Sequence, residues 1–164
     1  MNFSSIREYF YKLNSRCYIF VLVPLAAFIF IYFYREERKA LPPIQDAWIG
    51  QIILIGACLI TLINLTTVHW LSRKRLRTYA LLVGLGNKLD KYYEIILLRF
   101  NASCITALLM AVGALLTENE NFGFCFIIIL LWMALQWPTS RKACRELELK
   151  GDEYEMVFYK KESF

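Results

Sequence analysis

Among the polar side chains inside the long apolar stretches of this chain, four are the main candidates for chemistry: Asn64, His69, Arg99 and Asn101. A polar group within a membrane segment raises the free energy unless it is paired, so each one is a candidate functional residue. Gathered near one membrane face, they could line a small cavity that binds an anionic headgroup or relays protons. The structural alternative is that the asparagines hydrogen-bond between helices while His69 and Arg99 anchor the chain at the membrane interface.

Other patterns of catalytic residues are missing from the sequence. The chain has one histidine, which excludes a multi-histidine metal site within it, and it contains no GxSxG, P-loop or GxGxxG motif. Asp90 and Glu94 are one helical turn apart, which is more typical of a solvated helix face than of a metal or proton site. We therefore expect no catalytic residue, no bound metal and no cofactor.

The five cysteines are scattered, odd in number and without a CxxC pair. They give neither a zinc-ligand spacing nor a disulfide framework. Four of them lie in or at the edge of apolar stretches, where cysteine behaves as a small packing residue. The positions are Cys17, Cys58, Cys104, Cys125 and Cys144.

Four apolar segments must position the polar residues. They run over Cys17–Tyr34, Ala47–Leu71, Ile95–Leu116 and Phe122–Trp137. Each is about long enough to cross a hydrocarbon core of about 30 Å, the last only just. The hydrophobic fraction of 58% and mean hydropathy of +0.42 exceed the roughly 45–50% apolar usage of soluble domains. The sequence predicts an all-α, integral membrane four-helix bundle.

The basic residues fall on alternate sides of these segments. If the N-terminus is cytoplasmic, the outside pieces hold only Arg35, Arg38 and Lys39, and Arg99 lies within a span. The inside pieces hold Arg7, Lys12, Arg16, Arg73, Lys74, Arg75, Arg77, Lys88, Lys91, Arg141, Lys142, Arg145, Lys150, Lys160 and Lys161. Positive residues resist translocation, so both termini are expected in the cytoplasm. The expected location is the plasma (inner) membrane of a bacterium.

Three regions follow from this pattern: a cytoplasmic surface helix over 1–16, a four-span bundle over 17–137 and a cytoplasmic segment over 138–164. Ser5 followed by Glu8 has the spacing of a capping box, so the first helix is expected to begin there. The segment 78–94 is interpreted as a surface helix or half of a helical hairpin, with a re-entrant segment as the alternative.

The cytoplasmic C-terminal segment divides at Gly151. Thr139 or Ser140 is expected to cap a helix that runs through Leu149–Lys150 and closes at Gly151. The aromatic-rich residues 151–164 are too hydrophobic for an ordinary disordered tail. They are expected to pair as a strand with a partner or to pack beneath the bundle.

Two further sets of residues predict contacts. Small side chains let membrane helices approach closely, and the candidates are Gly56, Ser103, Ala107 and Ala111. Exposed cations beside a span contact anionic lipid headgroups, and the candidates are Arg73, Lys74, Arg75 and Arg77. Because the basic residues cluster beside the spans, membrane lipids are the expected partners and nucleic acid is not.

The sequence favours a non-catalytic accessory or interaction subunit of a membrane complex, which binds another membrane protein or itself through small-residue faces and its cytoplasmic tail. A small oligomeric transporter or channel is the alternative, and it requires Asn64, Arg99 and Asn101 to face a common axis. A lipid-binding or lipid-modifying protein is a second alternative, in which His69 is the plausible general base.

Overall fold

The computed structural model describes residues 5–38, 44, 46–117 and 119–159. They form six helices: α1 (Ile6–Arg38), α2 (Ala47–Ala80), α3 (Leu85–Leu116), α4 (Asn121–Leu135), α5 (Ser140–Glu146) and α6 (Gly151–Phe158). One isolated backbone bridge joins Ile44 to Thr117, and no strand forms within these residues. The predicted all-α class is confirmed. Lys39, Lys160 and Lys161, which enter the charge pattern, lie outside the described residues.

Three helices are long and apolar enough to cross a membrane, namely those in α1, α2 and α3. At 15 residues, α4 is about 22 Å long for a rise of about 1.5 Å per residue. It passes the same test only together with α5, as a span bent by 78°. The described part of the chain therefore contains three candidate membrane-spanning helices, or up to four if the bent pair is one span.

Two helices are longer than the sequence pattern indicates. α1 runs from Ile6 to Arg38, so the expected surface helix and the first apolar segment form one helix. α3 begins at Leu85, ahead of the third apolar segment. Residues 78–94 are thus divided among the end of α2, a turn and the start of α3. They are not a separate surface helix, and the part that leads into the third apolar segment is helical, as one half of a hairpin would be. The reason is burial at helical spacing, since Leu85, Leu89, Tyr92 and Ile96 are all buried.

The helix starts agree with the expected caps. The Ser5 hydroxyl accepts a hydrogen bond from the Glu8 backbone N–H at 3.2 Å, and the Thr139 hydroxyl accepts one from the Lys142 N–H at 3.2 Å. The expected end of the second of these helices is wrong. α5 already ends at Glu146, and Gly151, with φ +56°, begins α6. The strand considered for the C-terminal residues is likewise a helix over the part that the structure describes.

The chain divides into two compact units, and the division follows charge. The basic unit comprises Met1–Tyr18, Val68–Arg99 and Trp137–Phe164; the apolar unit comprises Ile19–Thr67 and Phe100–Gln136. Sixteen Lys and Arg against nine Asp and Glu give the basic unit a net charge of +7 with His neutral, whereas three against five give the apolar unit −2.

The basic unit has a core of large buried side chains. The Tyr9 hydroxyl of α1 donates a hydrogen bond to the Leu89 carbonyl of α3 at 2.8 Å, and the Tyr9 ring meets the Tyr93 ring edge-on. Leu147, just beyond α5, and Val157 of α6 are fully buried. Three separated stretches of chain therefore share one hydrophobic core, as in a water-soluble domain.

The apolar unit buries both large and small side chains. The small ones on α3 include Ser103, Ala107 and Ala111, and the large ones include Phe122 and Phe126 of α4. The large apolar side chains that it exposes include Leu22, Phe30, Ile55, Leu62, Val112, Ile128 and Leu131. An extended exposed apolar surface of this kind marks a membrane or protein contact, and small residues at helix contacts are typical of membrane helices.

Within the apolar unit, α4 packs closely against its neighbours. A Cβ added at Gly113 of α3 would clash with the Phe122 ring, so this glycine lets the ring approach the backbone. The Phe126 ring stacks on Phe28 of α1 with ring centroids 4.3 Å apart. A bulkier residue at 113 would displace the first turn of α4.

Candidate functional site

The most buried charge in the basic unit is Arg99, near the middle of α3. Its Nη1 donates hydrogen bonds to both carboxylate oxygens of Glu146, at 3.0 and 3.2 Å. The Arg99 side chain is 3% exposed and that of Glu146 is 18% exposed. Such a pair offsets the large desolvation penalty of a buried guanidinium only while both partners are present.

Three further groups surround this pair. Tyr92, fully buried about two turns before Arg99 on α3, interacts electrostatically with both Arg99 and Glu146. His69 of α2 is half-buried and interacts with Arg99 and Glu146 as well. Burial lowers the pKa of Lys142 on α5, while the nearby Glu146 carboxylate opposes that shift. We call Arg99, Glu146, Tyr92, His69 and Lys142 the α3–α5 cluster.

Local sequence fixes α5 in place for this contact. Pro138 precedes the helix, and the Thr139 cap starts it at Ser140. Ala143 and Leu147, four residues apart, are fully buried, while Arg141 and Arg145 are exposed. Because Glu146 lies three residues after Ala143, it is on the buried side of α5, facing α3.

The α3–α5 cluster centres on one ion pair. The Glu146 carboxylate is engaged by Arg99, and the remaining charge is basic, as Lys142 and the neighbouring Arg73 both act on His69. A general base needs an accepting group within reach of substrate; Glu146 is held by Arg99, whereas the His69 imidazole is half-buried. Among the described residues no group of three or more His, Cys, Asp or Glu side chains is placed to hold a metal ion.

The four polar residues singled out in the apolar stretches have different surroundings. His69 and Arg99 meet in the α3–α5 cluster of the basic unit. Asn64 belongs to the apolar unit, where its Nδ2 donates a hydrogen bond to the Ala102 carbonyl at 3.3 Å, joining α2 to α3. Asn101 is exposed. Asn64 thus has the helix-linking role of the structural alternative.

The residues expected at helix contacts and at lipid headgroups differ in their burial. Ser103, Ala107 and Ala111 are buried by their own chain, whereas a Cβ at Gly56 would meet no described atom within 4 Å. The basic residues that follow the second apolar segment are exposed, namely Arg73, Lys74, Arg75 and Arg77. The Lys74 ammonium lies 5.6 Å from the ring centroid of Trp70, a cation–π contact.

A second exposed set of residues in the basic unit combines the α2–α3 turn, which the sequence analysis did not single out, with part of the C-terminal segment, which it expected to contact a partner or to pack beneath the bundle. The α2–α3 turn exposes Leu81 by 84% and Val83 by 90%, and Gly84, with φ +91°, closes it. An ion pair of 2.7 Å between Lys88 and Glu153 joins the first turn of α3 to α6. On α6 and just after it, Tyr154 and Tyr159 are exposed. We call Leu81, Val83, Tyr154 and Tyr159 the turn–tail surface.

Comparison with known proteins leaves these sites to be interpreted from their own geometry. No family model matches the chain, and neither a curated protein nor a solved structure matches it.

Sequence reasoning singled out Arg99 but did not identify its partner. Glu146 is 47 residues away and sits among charges that resemble a solvated helix. The exposure of the turn was missed for another reason: in the sequence, Leu81 and Val83 belong to a short apolar stretch. The cap at Thr139 was the one local pattern that placed α5 correctly.

Proposed function

We propose that this chain is a multi-pass protein of the bacterial plasma membrane, with four spans in a helical bundle and both termini in the cytoplasm. The charge division supports this topology, since sixteen of the nineteen Lys and Arg residues belong to the basic unit and positive residues resist translocation. The exposed apolar side chains of the other unit suit contact with lipid. The exposed Arg73, Lys74, Arg75 and Arg77 suit anionic headgroups.

We further propose that the chain is a non-catalytic accessory or interaction subunit of a membrane complex. One observation supports this role above all: the charged centre of the basic unit is closed, with Arg99 3% exposed and bound to Glu146. A pathway for ions or a catalytic centre needs polar groups that substrate can reach. The α3–α5 cluster instead ties α5 to α3 and thereby holds the C-terminal helices in place.

The partner contact is assigned to the turn–tail surface. The small residues of α3 are already buried within the chain, so they have no free face for another protein. Aromatic side chains are enriched at protein interfaces, and exposed apolar patches mark contact sites. The turn exposes Leu81 and Val83, while Tyr154 of α6 and Tyr159 just after it are also exposed; the ion pair between Lys88 and Glu153 links the start of α3 to α6.

The test is the mass of the full chain, purified in lipid nanodiscs from the membrane in which it is normally made. The expected result is one fixed stoichiometry with a second membrane protein. The variant L81S/V83S should lower the co-purified fraction by about tenfold or more, because a central contact contributes about 2 kcal/mol or more. Tyr11→Ser is the matched control, since Tyr11 is 75% exposed in the same unit and outside the turn–tail surface.

Other outcomes would contradict the accessory role. A clean homo-oligomer without a second protein would favour a transporter or channel. A lone chain that retains anionic lipid through the purification would favour lipid binding, with His69 as the first residue to substitute. Equal loss of the partner in L81S/V83S and Tyr11→Ser would remove the turn–tail surface as the contact.

A further inference from the structure

Two cysteines that are far apart in sequence lie side by side in the apolar unit. The Sγ atoms of Cys58 on α2 and Cys125 on α4 are 3.6 Å apart, although 67 residues separate them. Both side chains are half-buried, whereas Cys17, Cys104 and Cys144 are buried. The sulfurs are in van der Waals contact, so a bond of about 2.05 Å requires them to approach by about 1.5 Å.

The surroundings of this pair determine which oxidants can reach it. Large apolar residues adjoining it on both helices are exposed, including Ile55 and Leu59 of α2 and Phe124 and Ile128 of α4. In the proposed membrane arrangement these residues face the hydrocarbon of the bilayer. A water-borne thiol oxidase acts through a mixed disulfide and needs surface access. An oxidant dissolved in the membrane meets no such barrier.

We propose that Cys58 and Cys125 form a reversible disulfide, with a membrane-dissolved quinone as the oxidant. In this step the two S–H bonds break and one S–S bond forms between the Sγ atoms. The quinone accepts the two electrons and two protons and leaves as the quinol. A dithiol that is itself dissolved in the membrane reaches the pair by the same route and returns both thiols by exchange, its own two thiols becoming a disulfide. The bond joins α4 covalently to α2. The packing contacts of α4 described above are with α1 and α3.

The experiment uses the full chain in sealed membranes, treated without oxygen with a soluble quinone analogue and, in parallel, with the corresponding quinol. Acid quenching and alkylation of free thiols precede mass measurement. The quinone-treated chain is expected to lose two alkyl additions relative to the quinol-treated chain, and a peptide linking Cys58 to Cys125 should appear. Cys58→Ala and Cys125→Ala should each abolish that peptide, and Cys104→Ala, the matched control within the apolar unit, should retain it.

Every other result overturns some part of this proposal. A linked peptide that joins two copies of the chain would place the two sulfurs on an intermolecular contact. If copper phenanthroline forms the bond and the quinone does not, the two sulfurs are close enough to bond but the quinone is not the oxidant, and the proposal is overturned. Failure of both oxidants would contradict the sulfur contact itself.

Discussion

A single nitrogen of Arg99 donates hydrogen bonds to both carboxylate oxygens of Glu146, at 3.0 and 3.2 Å, across 47 residues of sequence. This one carboxylate holds α5 against the middle of α3. Arg99 is buried and paired, and it differs in this respect from the exposed cations that follow the second apolar segment. The contact with Glu146 makes the position of the C-terminal helices depend on a charge in the third apolar helix.

Arg99→Ala or Glu146→Ala should destabilise the protein by about 3–5 kcal/mol, because either change leaves an unpaired charge in a buried site. The double variant R99L/E146L should recover most of that loss, since apolar groups of similar size replace a buried pair at little net cost. The measurement is thermal unfolding in nanodiscs. Lys91→Ala is the control, because its ion pair with Glu94 is exposed and worth about 1 kcal/mol at most. Equal effects in all variants would contradict a structural link.

Gly113→Ala should destabilise α4, because the new Cβ would clash with the Phe122 ring. We expect a loss of about 1–3 kcal/mol from overpacking, with partial rescue in G113A/F122L. Gly56→Ala is the matched control in a helix with open space around it. It should be neutral or gain up to about 1 kcal/mol from helix propensity. Identical unfolding temperatures for the two alanine variants would show that α3 and α4 do not touch here.

Val157→Ala should lower the unfolding free energy by about 2 kcal/mol, because its side chain is fully buried in α6 and the truncation leaves a cavity. Tyr159→Ala, an exposed position beyond the helix, should change it by about 0.5 kcal/mol or less. Deletion of residues 151–164 is expected to lower the unfolding temperature while leaving membrane insertion intact. An unchanged temperature after deletion would mean that α6 does not pack on the basic unit.

Cys144 should react slowly with maleimides at neutral pH. Burial raises the pKa of its thiol, and only the thiolate is the nucleophile, so the labelling rate should rise with pH well past the range of an exposed cysteine. An introduced cysteine at the exposed Arg145 of the same helix is the control. Mass analysis of the labelled α5 peptide measures both rates. Comparable rates at neutral pH would contradict the buried placement of Cys144.

The proposed topology can be tested with single introduced cysteines. A membrane-impermeant maleimide added to intact cells should label Asn119→Cys, which lies between α3 and α4, and should spare Arg77→Cys until the cells are opened. The charge asymmetry is the reason for this expectation. Labelling of both positions, or of Arg77→Cys alone, would overturn the N-in, C-in arrangement.

The sequence predicted what depends on local pattern. The all-α class, the helix caps at Ser5 and Thr139, and the apolar cores of α1 to α3 follow from hydrophobic runs and short-range spacing. Helix ends were harder, since tertiary burial of Leu85 and Leu89 extends α3 beyond its apolar run. Contacts between distant residues could not be predicted. Neither the contact of Arg99 with Glu146 nor that of Cys58 with Cys125 produces a local spacing pattern in the sequence.

The length of α4 has a consequence for the surrounding lipid. Where this helix crosses the membrane, its roughly 22 Å fall short of a hydrocarbon layer of about 30 Å, while α2 with 34 residues is more than long enough. Hydrophobic mismatch of this kind is relieved by local thinning, at fractions of a kcal/mol per Å. Acyl chains beside α4 are then compressed relative to those beside α2. Bilayer thickness, and with it acyl-chain length, thereby becomes a factor that determines in which membrane the protein resides.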